Sequence, residues 1–219
     1  MPFRLPPVTQ LLLILNIAVF AIGALLGEQV AMRIDLLFAL WPWYPGGYGS
    51  ELPVFMPWQL VTYAFLHGGL NHIAFNMLAL VMFGSPIEHH LGARRYLLFY
   101  AVCVIGAGLC QLALASWSVA QGSDIYPTVG ASGGVFGLLL AYGMLFPNHR
   151  VMLLFPPIPM KARTLVIVYG AIELLLGFTG LQPGVAHFAH LGGMVFGWLL
   201  LLYWRRPRPP RPPRFRVVT

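Results

Sequence analysis

Residues 130–146 read GASGGVFGLLLAYGMLF, without one charged side chain. The run alternates with neither the two-residue period of a half-buried strand nor the polar face of an amphipathic helix. It must therefore be apolar all round, which suits a helix enclosed by protein or lipid. Residues 132–146 would rise about 22 Å as a helix. That falls short of the roughly 30 Å hydrocarbon core of a bilayer. With its far end at one surface, the run starts several ångströms below the other, and Ser132 opens it. Gly130 and Ala131 before it leave the chain free to enter as a loop.

The rest of the chain has the same solvent. Hydrophobic residues make up 58% of the 219 and charged residues 9%, where soluble domains carry roughly a quarter charged. Five further apolar runs, residues 9–26, 70–90, 96–117, 164–180 and 185–204, bring the count to six. About 20 apolar residues span a bilayer as a helix. The first run is long enough to be a retained span and lacks a small-residue cleavage site. Residues 27–69, rich in Trp, Tyr, Pro and Gly (WPWYPGGYG, FMPWQLVTYAF), have the composition of an interfacial segment. Cys103 and Cys110 lie about 10 Å apart along one helix, too far for a disulfide, and are read as packing residues.

Charge tests the count. With six spans and both ends inside, Arg4, Arg94, Arg95, Arg150, Lys161, Arg163 and the six arginines of the tail share one side. Only Arg33 lies outside, with Glu28, Asp35, Glu51 and Asp124. Five or seven spans would scramble this positive-inside pattern. The expected fold is an all-α membrane bundle of six helices, one domain over residues 1–204. A basic, proline-rich cytoplasmic tail follows over residues 205–219. The tail reads as an extended topology anchor beside anionic lipid. It supplies most of the net charge of +7, which is no nucleic-acid footprint.

Polar groups inside spans are costly unless paired, so those present carry information. His72 and Asn76 are i and i+4 in the second span and share a face. Ser132 opens the fourth. His187 and His190 stand in VAHFAHLGG of the sixth. His190 lies about five residues into its span, roughly 8 Å deep, which matches the depth of Ser132, His72 and Asn76. Gly133 and Gly137 of the fourth span and Gly193 and Gly197 of the sixth are small-xxx-small pairs, which let helix backbones approach closely. If those faces meet, Ser132 and His190 come within hydrogen-bond reach, as a nucleophile and its base must. Ser132 also sits at a helix N-terminus, whose free N–H groups favour developing negative charge.

Together, HIAFN (His72, Asn76), GASGG (Ser132) and AHLGG (His190), on the second, fourth and sixth spans, resemble the rhomboid intramembrane serine proteases. The resemblance covers about residues 58–200. It implies that Ser132 attacks the scissile carbonyl and that His190 acts as its base. The Ser132 N–H, His72 and Asn76 would hold the oxyanion, with Gly130, Gly133 and Phe136 in support. It implies no third carboxylate, and none is placed at that depth. It further implies transmembrane protein substrates, a functional monomer, no cofactor, and for so short a chain a bacterial plasma membrane. Two features depart from some bacterial relatives. The first loop has no Trp-Arg pair, and the ring that would stack on the histidine is Phe136 in place of tyrosine.

Other polar residues have blander readings. His187 is the rival base, and the AHLGG match selects His190. His187 and His67 are expected at loop or helix ends against water or backbone. Glu173 in the fifth span is expected to be protonated or paired with a polar group, with a role in gating as the alternative. Glu88 should cap a neighbouring loop. His89 and His90 beside it lack the HExxH spacing of a zinc protease. Two other functions fit six spans. A rhomboid-like pseudoprotease would bind clients without cutting, though such proteins usually lack the serine or histidine. A transporter would show internal repeats and midplane polar groups, and neither is present.

Overall fold

In the computed structural model, residues 4–44, 53–152, 157–182 and 184–205 are described. The tail from residue 206 and the first-loop residues 45–52 lie outside them. Among the described residues, five helices are long and apolar enough to cross a membrane. They are α1 (Pro7–Leu26), the span Leu70–Leu91, α6 (Ala93–Ala120), α8 (Ala162–Thr179) and α9 (His187–Arg205). A shorter apolar helix, α7 (Ser132–Leu145), accompanies them. The span Leu70–Leu91 is built from α4 (Leu70–Ala79), a π turn at Leu80–Gly84 and α5 (Ser85–Leu91). The chain is an integral, multi-pass membrane protein.

Two features add to the expected all-α bundle and its interfacial first connection. A short antiparallel hairpin, β1 (Arg150–Met152) and β2 (Pro159–Lys161), joins α7 to α8 with Val151 opposite Met160. Three-residue strands beside prolines carry no periodic signal. The first connection contains α2 (Glu28–Phe38) and α3 (Gln59–Thr62), and a 3₁₀ turn follows at Tyr63–Phe65. Side chains pin it down. The buried Gln59 accepts the Trp41 and Met56 N–H groups, while the Thr62 hydroxyl and the Trp58 indole donate to the Phe38 and Leu37 carbonyls. Leu40 pairs with Thr128 through two backbone bonds of 2.9 and 3.0 Å, tying this connection to the loop that leads into α7.

Apolar contact with lipid costs a helix nothing, so small residues that admit close packing hold such a bundle together. Here α7 lies inside, with Gly133, Gly134, Gly137, Leu138 and Ala141 buried, between α6 and α9. A Cβ on Gly193 would fall on the Gly133 carbonyl, so α7 and α9 meet backbone to backbone. Gly137 and Gly197 both face Cys103 of α6, and Gly192 faces Cys110. Both cysteines are free thiols that fill these glycine notches. By contrast α1 and α8 expose Leu11, Ile14, Ile167 and Leu175 outward, as lipid-facing helices do.

Glu88 does more than cap a loop. Its carboxylate accepts the Val8 N–H at 2.9 Å and the Thr9 N–H and hydroxyl at 2.7 Å each. These are orphan donors of the first turn of α1, where a negative charge also suits the helix dipole.

Candidate active site

Ser132 is the first residue of α7, entered from a loop whose shape glycine determines. Gly130 has φ +130°, a conformation that side-chain-bearing residues rarely adopt. Its N–H donates to the Tyr63 carbonyl at 2.9 Å, and the Tyr63 hydroxyl donates to the Val104 carbonyl at 2.8 Å. A Cβ at Gly130 would stand 2.8 Å from His72 Nε2 and 3.6 Å from Ser132 Oγ. The absent methyl therefore leaves the gap where the serine hydroxyl and the His72 ring converge.

His190, in the first turn of α9, places Nε2 2.8 Å from Ser132 Oγ. Phe136, one turn after the serine, stacks on the His190 ring at 4.2 Å between centroids and 5° between planes. The backbone contact of Gly133 with Gly193 sets the separation of the two helices. A cavity of about 860 Å³ exposes this pair, with Gly130, His72, Asn76 and Phe136 in its wall. Its wall also includes the loop residues Tyr126–Val129, Phe75 of α4 and Tyr169 of α8.

The hydrogen bonds decide which protons are free. The Gly68 N–H approaches His72 Nδ1 at 3.4 Å, which makes Nδ1 an acceptor and puts the ring proton on Nε2. Asn76 is buried and donates one amide proton to the His72 carbonyl at 2.9 Å, leaving the other. Both side chains thus hold an uncommitted N–H on the cavity wall.

Behind His190 the structure overturns one expectation. Glu173 of α8 is buried, and its Oε2 lies 2.8 Å from His190 Nδ1 and 2.7 Å from His187 Nδ1. A carboxylate does stand at the depth of the site. His187 opens α9, at a helix end as expected, but it is buried and its partner is the Glu173 carboxylate, where water or backbone was expected. The face Glu173 presents could not be read from one apolar helix alone. Two signals were nonetheless present. Glu173 is six residues from the C-terminal end of α8, about 9 Å, much as His190 lies a few residues from the N-terminal end of α9. His187 and His190 are i and i+3, on one face of α9. These three residues offer metal-ligand atoms within 4.8 Å of one another. Their 2.7 and 2.8 Å spacings are those of hydrogen bonds, tighter than the about 3.3 Å between neighbouring ligands of a tetrahedral zinc. His89 donates to the Ser85 carbonyl and His90 packs on Phe146, away from the cavity.

The rhomboid-domain sequence profile matches residues 55–207, a stretch that contains every one of these residues. The chain belongs to the rhomboid family. Among its relatives, the rhomboid is 31% identical over 199 residues to the Bacillus subtilis protein YdcA, covering 90% of this chain and 88% of that one. It is 34% identical over 143 residues to RHOMBOID-like protein 4 of Arabidopsis thaliana and 32% over 141 to the rhomboid protease GluP of Bacillus subtilis. Those matches span only 33% and 25% of the relatives' own lengths. Relatives such as GluP are named as rhomboid proteases, and this rhomboid has a serine and a histidine in hydrogen-bond contact in the wall of its cavity.

Proposed function

We propose that this rhomboid is a serine endopeptidase that cleaves transmembrane protein substrates with a Ser132–His190 pair. The observation that carries the proposal is the 2.8 Å approach of His190 Nε2 to Ser132 Oγ beside an open cavity. Ser132 Oγ attacks the scissile carbonyl carbon as His190 Nε2 takes its proton. The tetrahedral oxyanion is held by the Ser132 backbone N–H at the start of α7 and by the free N–H groups of His72 and Asn76. His190 then returns the proton to the leaving amine, and the C–N bond breaks to leave an acyl-enzyme. Water, activated by the same imidazole, releases the new carboxyl end and restores the serine. Protein groups and water suffice for each step.

The distribution of arginines supports six spans with both ends cytoplasmic, α7 being the shortest. The site then opens towards the outer face of a bacterial plasma membrane, and one copy holds all the reacting groups. The test is cleavage of a synthetic transmembrane substrate in proteoliposomes. Wild type is expected to cut within or beside the apolar segment, and Ser132→Ala and His190→Ala to leave it intact. Binding without cleavage by wild type would replace this reading with that of a client-retaining pseudoprotease.

A further inference from the structure

We infer that Glu173 is a positioning residue for the reaction, the third member of a Ser132–His190–Glu173 relay that His187 holds in place. The inference rests on the Ser132–His190 reading above and adds to it a carboxylate on a third span.

Three distances carry it. Ser132 Oγ, His190 Nε2, His190 Nδ1 and Glu173 Oε2 form a continuous chain, with 2.8 Å at each hydrogen bond. A carboxylate oxygen can only accept, so the bond to Glu173 requires the proton on His190 Nδ1. That tautomer leaves a lone pair on Nε2, the atom facing the serine. A neutral imidazole with no partner at Nδ1 can equally carry its proton on Nε2, where it cannot serve as a base. Phe136 fixes the plane of the ring from one side, and Glu173 fixes its rotation within that plane.

His187 explains how the carboxylate is kept in place. Its Nδ1–H donates to the same Oε2 at 2.7 Å, so two imidazoles three residues apart on one face of α9 converge on one oxygen. Two donors offset part of the cost of enclosing a carboxylate and leave it one orientation. Since α9 carries both histidines and α8 the glutamate, the arrangement also joins the two helices. During attack the serine proton moves to His190 Nε2, and the ring becomes an imidazolium with protons on both nitrogens. Glu173 takes no proton. Its negative charge faces the positive charge formed on the ring and stabilises it, in an enclosed site where water screens little.

The experiment uses the full chain in detergent, with rates expressed per folded molecule. Wild type, Glu173→Gln, Glu173→Ala and Ser132→Ala are compared for fluorophosphonate labelling, for kcat and KM on a transmembrane substrate, and for unfolding midpoint. Glutamine preserves shape and an accepting oxygen but removes the charge. In other hydrolases, loss of the acidic member of such a relay costs about 10⁴-fold, and for Glu173→Gln we expect a loss on the order of 10²- to 10⁴-fold in kcat with KM little changed. Residues that act through one another are non-additive, so Glu173→Gln placed in a His190→Ala background should lower the residual rate no further. A structural carboxylate gives the opposite pattern. If Glu173→Gln and Glu173→Ala label and cleave within a few-fold of wild type, or if the loss persists unchanged in the His190→Ala background, the relay is refuted and the Ser132–His190 pair stands. Failure of wild type itself to label overturns both.

Discussion

Substituting Gly193 by alanine tests the geometry that brings the serine and histidine together. A Cβ at Gly193 would fall on the Gly133 carbonyl, 2.8 Å from its carbon and 3.3 Å from the Gly133 Cα. Neither neighbour is a flexible side-chain end that can turn away, so the helices themselves must separate. Ordinary carbon–carbon contact is about 3.5–4.0 Å, which requires α7 and α9 to part by roughly 1 Å. Overpacking of this kind costs about 1–3 kcal/mol. The effect on chemistry should be larger than the effect on stability. Parting the helices stretches the 2.8 Å contact of Ser132 with His190 beyond hydrogen-bond range, and a 1 Å misplacement costs about 10²-fold in rate. The assay is the rate of fluorophosphonate labelling beside the unfolding midpoint, with Gly23→Ala of α1 as control. There a Cβ meets only the Ala31 methyl at 3.8 Å, an ordinary contact. A Gly193→Ala variant that labels and melts like Gly23→Ala would refute the claim that this backbone contact sets the site.

Removing the free N–H of His72 or Asn76, by His72→Ala or Asn76→Ala, should lower kcat by about 10²-fold for each donor that reaches the oxyanion, with KM little changed. An equal rise in KM would assign them to substrate binding instead. Glu88→Gln should lower the unfolding midpoint, since a charge-assisted hydrogen bond to the first turn of α1 is worth about 1.5–3 kcal/mol, while labelling per folded molecule stays at the wild-type level. His67, outside the spans, has its proton affinity pushed down to about 4 by burial, reinforced by the neighbouring His72 ring. The unfolded chain takes up this proton below about pH 6.5, and the folded protein does not until about pH 4. Stability from this group is therefore complete above the upper value and is lost as pH falls between the two. His67→Gln should flatten the midpoint across that window, and an unchanged slope would remove His67 as the cause.

The parts of this fold that could be read in advance are those set by one-dimensional chemistry. The long apolar runs emerge as helices within a few residues of the expected bounds, because only internal hydrogen bonding can satisfy a backbone in lipid. The approach of Gly133 to Gly193 was legible too, because small residues four apart make a groove whichever helix fills it. Rotation about a helix axis was not. Glu173 sits in an apolar run whose polar neighbours are too few to define a face, so its meeting with His187 and His190 depends on how α8 packs. The pairing of β1 with β2 escaped for another reason. Three paired residues between prolines carry too little pattern, and their pairing satisfies a connection without burying a face. The pinning of the first connection by Gln59 and Thr62 likewise depends on contacts between residues about 20 positions apart.

The most direct test of the account is whether Ser132 is an activated nucleophile. Purified, folded protein treated with a fluorophosphonate probe should form one covalent adduct, located at Ser132 by mass spectrometry and absent from both Ser132→Ala and His190→Ala. Folded wild type that stays unlabelled, or labelling that survives His190→Ala undiminished, would contradict the pairing on which the proposed chemistry depends.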